Sequence, residues 1–501
     1  MRYPNSLSAV FVSALLLTLL FFRQGIGLNL LLFECLLFTW LAFTKQLTLG
    51  KPLVLITFLG TFTTGIFTVL IYSTFVYTVH FISLFLFVGV LNFNSIKSLL
   101  NAFGMASATM FTSQIAFAKQ FFGRKVGGIK VANFLWKSRI FVIPILIIGV
   151  FLTIYSFSNP IFSDYLGAFG ELLQNGITFL FENINFPLFF TFLFCLFLSV
   201  FLLYRTAVPG IQNYEATVHS TLYRNKMRKR RFFKLSALKS EYKAGIFLLV
   251  ILNLLLLLLN CIDIYWVWFN FEWDGQTLKQ FVHEGTYLLI ISILISIAVV
   301  LYFFRGNLNF YKNNKWLKYL AYVWVAQNAI LAISVAIRNF WYIKHFALAY
   351  KRIGVVLFLL LVLYGLFTVF RKIQKTKTAF YLFQKNTLAL YLILIASSLV
   401  NWDSVIAKYN FSNADNSYLH LAYLSNLSDK TLPLLDKTKG ELLETYAFQQ
   451  AKFPYPYFTM NHDAYLEKIE KRKKEFQQKW EAKNILAWNL AEYRAYHNLL
   501  E

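Results

Sequence analysis

Acid, base and amide side chains are scarce among the apolar runs of this 501-residue chain, and those that stand in or beside them fall into three groups. The first comprises Asp263, His283, Glu284, Arg338, Arg352, Asp403 and Asn410, gathered near the ends of apolar runs among Tyr265, Trp266, Tyr287, Tyr342 and Tyr409. Three carboxylates, two guanidiniums and an imidazole near one interface could form a vestibule for a polar or anionic headgroup, because an arginine fork binds phosphate or carboxylate bidentately. His283 with the acids could equally act as a general base or metal ligand. The alternative is an ion-paired ring that closes the bundle and caps its helices.

The second group lies at membrane depth, where a charged side chain needs a partner or a role. Glu34 and His80 each sit six residues in from the same-side end of an apolar run. At the helical rise both are about 9 Å below that boundary, so a contact between them is geometrically allowed. It would serve as a proton relay or ion site, or as a neutral interhelical hydrogen bond. At the helical angle per residue, Asn253 and Asn260 share a stripe with Asp263, and Gln327 and Ser334 share one with Arg338, with Asn328 beside Gln327. Such amides act as interhelical glue or line a permeation path. The third group is the segment 224–243, where Arg224, Lys226, Arg228, Lys229, Arg230 and Arg231 lead a basic run relieved by Glu241 alone. A cluster of this kind attracts anionic lipid by about 1 kcal/mol per charge, or simply anchors topology.

These groups must be positioned by membrane helices. The chain is 58% hydrophobic and only 14% charged, with 55 Phe, which excludes a disordered or secreted disulfide-stapled protein. Eleven apolar runs approach the length of a bilayer span, at 7–22, 28–43, 53–72, 74–93, 140–157, 187–204, 245–262, 287–304, 320–337, 353–370 and 380–400. The expected fold is an all-α polytopic membrane bundle with a small helical extramembrane domain. Its parts are an N-terminal bundle at 1–204, a basic loop at 205–243, a second bundle at 244–401 and a tail at 402–501. Residues 94–137 contain no acid and read as one or two helices in the interface, with a re-entrant hairpin as the alternative. The tail reads as short paired helices, then charged helices over 463–480 and 485–499.

Charge sets the expected orientation. The net charge is +25, yet residues 401–501 hold 13 basic and 13 acidic side chains, so the excess lies in the membrane part. Loops after the even-numbered runs carry 27 Lys and Arg together. By the positive-inside rule those loops and the N-terminus face the cytoplasm and the tail faces the periplasm or exterior. Expected partners are the bilayer, anionic lipid at the cytoplasmic face and other envelope proteins; nucleic acid is not among them.

No P-loop, dinucleotide-binding glycine fingerprint, HExxH helix, GxSxG elbow or CxxC pair is present. Cys35, Cys195 and Cys261 lack metal-ligand spacing, so neither cofactor nor metal is expected.

Five stretches carry a family resemblance: NLLLLLLNCIDIYW at 253–266, VHEGTY at 282–287, AQNAILAISVAIR at 326–338, ALAYKR at 347–352 and NWDSVIAKYN at 401–410. Together they resemble a bacterial family of polytopic membrane proteins, domain of unknown function 4173, over roughly 205–430. The resemblance implies a bacterial cytoplasmic-membrane protein and no particular chemistry. The expected function is therefore binding, transport or sensing of a small polar or lipid-linked solute at the outer face. The alternatives are a membrane enzyme acting on a lipid-linked substrate, with Asp263, His283, Glu284 and Asp403 as acid, base or metal groups, and an envelope scaffold that recruits partners through its tail.

Overall fold

The computed structural model describes residues 7–123, 125–126, 129–130, 142–158, 162, 165–167, 185–224, 235–271, 275–453 and 460–500. The first half contains α1 (Leu7–Phe21), α2 (Leu28–Phe43), α3 (Pro52–Ile71), α4 (Thr74–Asn92), α5 (Leu99–Phe122), α6 (Val142–Ser158), α7 (Phe186–Leu203) and α8 (Pro209–Thr217). Two-residue strands, Lys125–Val126 and Ile129–Lys130, pair antiparallel after α5. The second half contains α9 (Leu235–Asp263), which runs on into a π-helical turn at Ile264–Phe269, then α10 (Gly275–Phe303), α11 (Lys315–Phe346), α12 (Tyr350–Gln374) and α13 (Ala379–Ser398). The tail adds α14 (Trp402–Ser412), α15 (Leu421–Leu424), α16 (Leu432–Leu435), α17 (Lys439–Lys452), α18 (His462–Glu481) and α19 (Leu490–Leu500).

The protein is an all-helical, polytopic membrane protein. Among the described residues, seven helices are long and apolar enough to cross a membrane: Pro52–Ile71, Thr74–Asn92, Phe186–Leu203, Leu238–Phe269, Lys315–Phe346, Tyr350–Gln374 and Ala379–Ser398. Shorter apolar helices stand at Leu7–Phe21, Leu28–Phe43, Ile147–Ser158 and Tyr287–Phe303, where the remaining apolar runs lie. Helix starts follow local chemistry. The side chains of Ser73, Ser98, Asn185, Thr378 and Asn401 each accept a hydrogen bond from a first-turn N–H of α4, α5, α7, α13 and α14. Thr438 and Glu441 form a reciprocal capping box on α17.

Contacts at the helix ends divide the molecule into two sides. On one, Arg205 Nε donates to Gln46 Oε1, Lys97 Nζ to the Glu215 carbonyl at 2.6 Å, and Gln384 Nε2 to the Lys97 carbonyl at 2.6 Å. Thr221 bridges Lys377 on the same side, beside exposed Arg224. This is the basic side. On the other, the Leu28 N–H donates to the Trp488 carbonyl at 3.0 Å and the Tyr418 N–H to the His345 carbonyl at 2.7 Å. The tail packs there, around Ile406, Leu424, Leu432, Leu435, Tyr465, Ile469 and Phe476.

Residues 99–122 form one helix. Helix α5 lies against α4, α7 and α1 through Phe85–Phe103, Asn92–Thr109, Gln114–Phe197 and Phe11–Phe117, all toward the basic ends of those helices. Ala102 faces Gly89 so closely that a methyl there would overlap its carbonyl oxygen. Of the basic segment, Lys226, Arg228, Lys229, Arg230 and Arg231 lie outside the described residues.

Candidate functional site

Helix α3 buries a face made of small and polar residues: Thr57, Gly60, Thr61, Thr64, Gly65 and Thr68. Its threonine hydroxyls donate back to carbonyls one turn earlier, so the backbone absorbs their polarity and neighbouring helices approach closely. Into the space left by Gly65 comes Glu34 of α2, whose Oε2 occupies the volume a methyl would need. His80 of α4 completes the arrangement. Its Nε2 lies 2.9 Å from Glu34 Oε1, and the two residues are 0% and 1% exposed.

The other ring nitrogen of His80 faces Thr64. Thr64 Oγ1 has one proton, and the carbonyls of Gly60 (2.7 Å) and Thr61 (3.1 Å) are there to receive it. The same Oγ1 lies 3.1 Å from His80 Nδ1, and which of the two donates depends on the imidazole tautomer. Nε2 faces Glu34 Oε1 at 2.9 Å as a close contact in which neither atom makes an aligned hydrogen bond among the described residues. One proton keeps the pair neutral, and it can reside on either partner.

A second hydrogen-bonded run crosses the same core. Ser83 of α4 joins Thr61 at 3.1 Å and the hydroxyl of Tyr391 on α13 at 2.5 Å. Gly60 makes room for that hydroxyl, since a methyl there would overlap it. Helix α13 therefore packs into the N-terminal bundle, and Tyr391 belongs to its core.

The tail sits directly over the ends of α2 and α3. Gly27, before α2, lies so close to Ala487 and Trp488 that a side chain would overlap their backbone. Lys430 Nζ donates to the Ile71 carbonyl at 3.0 Å and the Tyr72 carbonyl at 3.3 Å, where α3 ends in a left-handed Tyr72. The same ammonium lies 3.3 Å from Asp403, which also accepts from the hydroxyls of Tyr350 and Ser428. Burial holds the Lys430 ammonium below its usual pKa, and the Asp403 charge opposes this. Lys430 and Asp403 together thus tie the tail, the start of α12 and the end of α3.

The polar stripes of α9 and α11 meet as parallel neighbours. Asn253 Oδ1 accepts from Gln327 Nε2 at 2.8 Å, and Asn260 Nδ2 donates to the Gln327 carbonyl at 3.1 Å. Trp268 Nε1 donates to Ser334 at 2.8 Å, and buried Arg338 pairs with buried Asp263 at 2.5 Å. Asn328 donates to the Trp324 carbonyl within α11. Arg352 donates to the Phe346 and Ala347 carbonyls and stacks on Tyr342, so it caps α11. Asn410 exchanges two hydrogen bonds with the Leu348 backbone. The side chains of His283 and Glu284 lie outside the described residues. Asp263 and Asp403 thus have separate partners: Asp263 with Arg338, and Asp403 with Lys430, Tyr350 and Ser428.

Sequence reasoning did not single out the threonine face of α3, Tyr391, Lys430 or Glu215. The first has a readable signal, small residues at three- and four-residue spacing. Glu215 is buried at the start of α5, accepting from the Lys97 N–H and Asn101 Nδ2 across 118 and 114 residues of chain, and carries no local signal.

No curated protein and no solved structure matches the chain. The expected family 4173 is not the one matched: the match is to a different uncharacterised family and begins at residue 35, inside α2, well ahead of the motifs between 253 and 410. The family model, Domain of unknown function (DUF4153), covers residues 35–438, and the chain belongs to that family.

Proposed function

We propose that this chain is a proton-responsive membrane protein that binds, senses or moves a small polar or lipid-linked solute on its tail side. The Glu34–His80 pair is its proton site. The observation that carries the reading is a carboxyl and an imidazole 2.9 Å apart, fully buried among membrane helices. Ionisable groups at membrane depth are costly, and they characteristically mark proton or substrate pathways. Neither Glu34 oxygen, nor His80 Nε2, makes an aligned hydrogen bond among the described residues, so the pair is not consumed in holding helices together.

The tail gives the site a reporter. It grips the ends of α2 and α3 through Trp488 and Lys430, and those helices carry Glu34 and its Gly65 and Thr64 surroundings. A proton that alters the Glu34–His80 spacing alters the seat of the tail, and a solute that moves the tail alters the pair. The reading places the basic side in the cytoplasm of a bacterial cell and the tail outside, on the strength of the Lys and Arg distribution. A catalytic role on lipid-linked substrates has less support, because Asp263 and Asp403 have separate polar partners.

Hydrogen exchange on the full-length protein in bilayer discs tests the coupling, across the range where carboxyls and imidazoles titrate. Exchange at 22–28 and 71–73 should change with pH in the wild type and lose that change in Glu34→Gln. The same pH response in both proteins would overturn the reading.

A further inference from the structure

The basic side contains a cleft that the proton site does not involve. It has a volume of about 650 Å³ and lies between the first turns of α9 and the 311–316 segment, lined by Lys239, Tyr242, Lys243, Tyr311, Lys312, Asn313, Lys315 and Trp316. Four lysines line it and no carboxylate does. Among the described residues none of the four makes an ion pair, whereas lysines of the tail find Glu or Asp repeatedly.

The walls are fixed. Asn309 donates to the Phe304 and Gly306 carbonyls and Asn314 to those of Leu308 and Asn309, which locks the turn between α10 and α11. Tyr242 and Tyr311 pack together at 5.0 Å, joining the two walls. Because the Asn314 side chain is spent on that turn, it does not cap α11, and the first N–H groups of a 32-residue helix open beside Lys315 and Trp316. Four lysines line this one volume beside a helix N-terminus.

Depth identifies the source of the ligand. The apolar runs of α9 and α11 begin at 245 and 320, so the cleft, at 239–243 and 311–316, lies about one turn outside them, at the depth of the headgroups. Trp316 is 71% exposed and Tyr319 62%, as in an aromatic belt at headgroup level. We infer that this cleft binds the phosphate of an anionic phospholipid headgroup, with Lys239, Lys243, Lys312 and Lys315 as its cationic partners.

The test is lysine footprinting by acylation and mass spectrometry on the unaltered full-length protein. It is compared in vesicles of phosphatidylcholine alone, of phosphatidylcholine with phosphatidylglycerol, and of phosphatidylcholine with inorganic phosphate. Phosphatidylglycerol should protect the four cleft lysines and leave exposed Lys474 of the tail unprotected. Retention of phosphatidylglycerol, read by native mass spectrometry, should weaken roughly fivefold for each lysine changed to glutamine and survive the four Lys→Arg changes. Protection by inorganic phosphate as strong as by the lipid would support the phosphate site and assign it a soluble ligand. Equal labelling in all three vesicles, or lipid retention unchanged in the glutamine variants, would overturn the inference.

Discussion

Lys430 shows how much one side chain decides. It is a tail residue, yet its ammonium ends on two carbonyls at the close of α3 and on Asp403. Because burial lowers its pKa in the folded protein, the unfolded chain binds more protons between the lowered value and the ordinary one. Native stability contributed by Lys430 therefore rises with pH through that window. Thermal unfolding of wild type and Lys430→Met should show a gap that widens in favour of wild type as pH rises toward the lysine range; a constant gap would contradict the assignment. Nothing local marks the hold of Lys430 on α3, since its two carbonyl partners lie more than 350 residues upstream. Glu34 and His80 are different, because equal depth in neighbouring runs is legible from helical rise alone. What the rise does not supply is rotation, and it is Gly65 that turns equal depth into contact.

At the scale of elements, the legible part is periodicity. All eleven apolar runs are helical where described, and the polar stripes of α9 and α11 face each other because a buried amide without a partner is costly. The sequence is silent on order in space. Helix α13 is the last span, yet it inserts Tyr391 among α3 and α4, which no local pattern anticipates. The Asp263–Arg338 pair gives the α9–α11 seam its sharpest test. Asp263→Ala leaves Arg338 buried without its carboxylate and should cost about 3 kcal/mol, whereas Asp263→Leu with Arg338→Met should recover most of it. Denaturation of the detergent-purified protein measures both. Equal losses in single and double variants would show that the pair does not hold the seam.

The whole molecule is a two-sided object, with 13 tail cations balanced by acids on one face and the unbalanced loops on the other. That separation is legible in charge counts, because a basic loop resists translocation whatever its fold. The cleft on the basic side was not legible, since its lysines come from the first turns of α9 and the 311–316 segment, which only the α9–α11 packing brings together. In a cysteine-free background, cysteines placed at exposed Tyr223 and exposed Lys474 should react with an impermeant reagent from opposite sides of intact cells. Labelling from the same side would collapse the arrangement of tail over site. The account stands or falls on the proton it assigns to Glu34 and His80. Infrared difference spectroscopy of the full-length protein in bilayers, recorded across a pH change, should show a carboxyl C=O band paired with histidine ring bands. The carboxyl band should vanish in Glu34→Gln; in His80→Gln the ring bands should vanish and the carboxyl band should shift. A carboxyl band that persists in Glu34→Gln, or a spectrum without one, would contradict it.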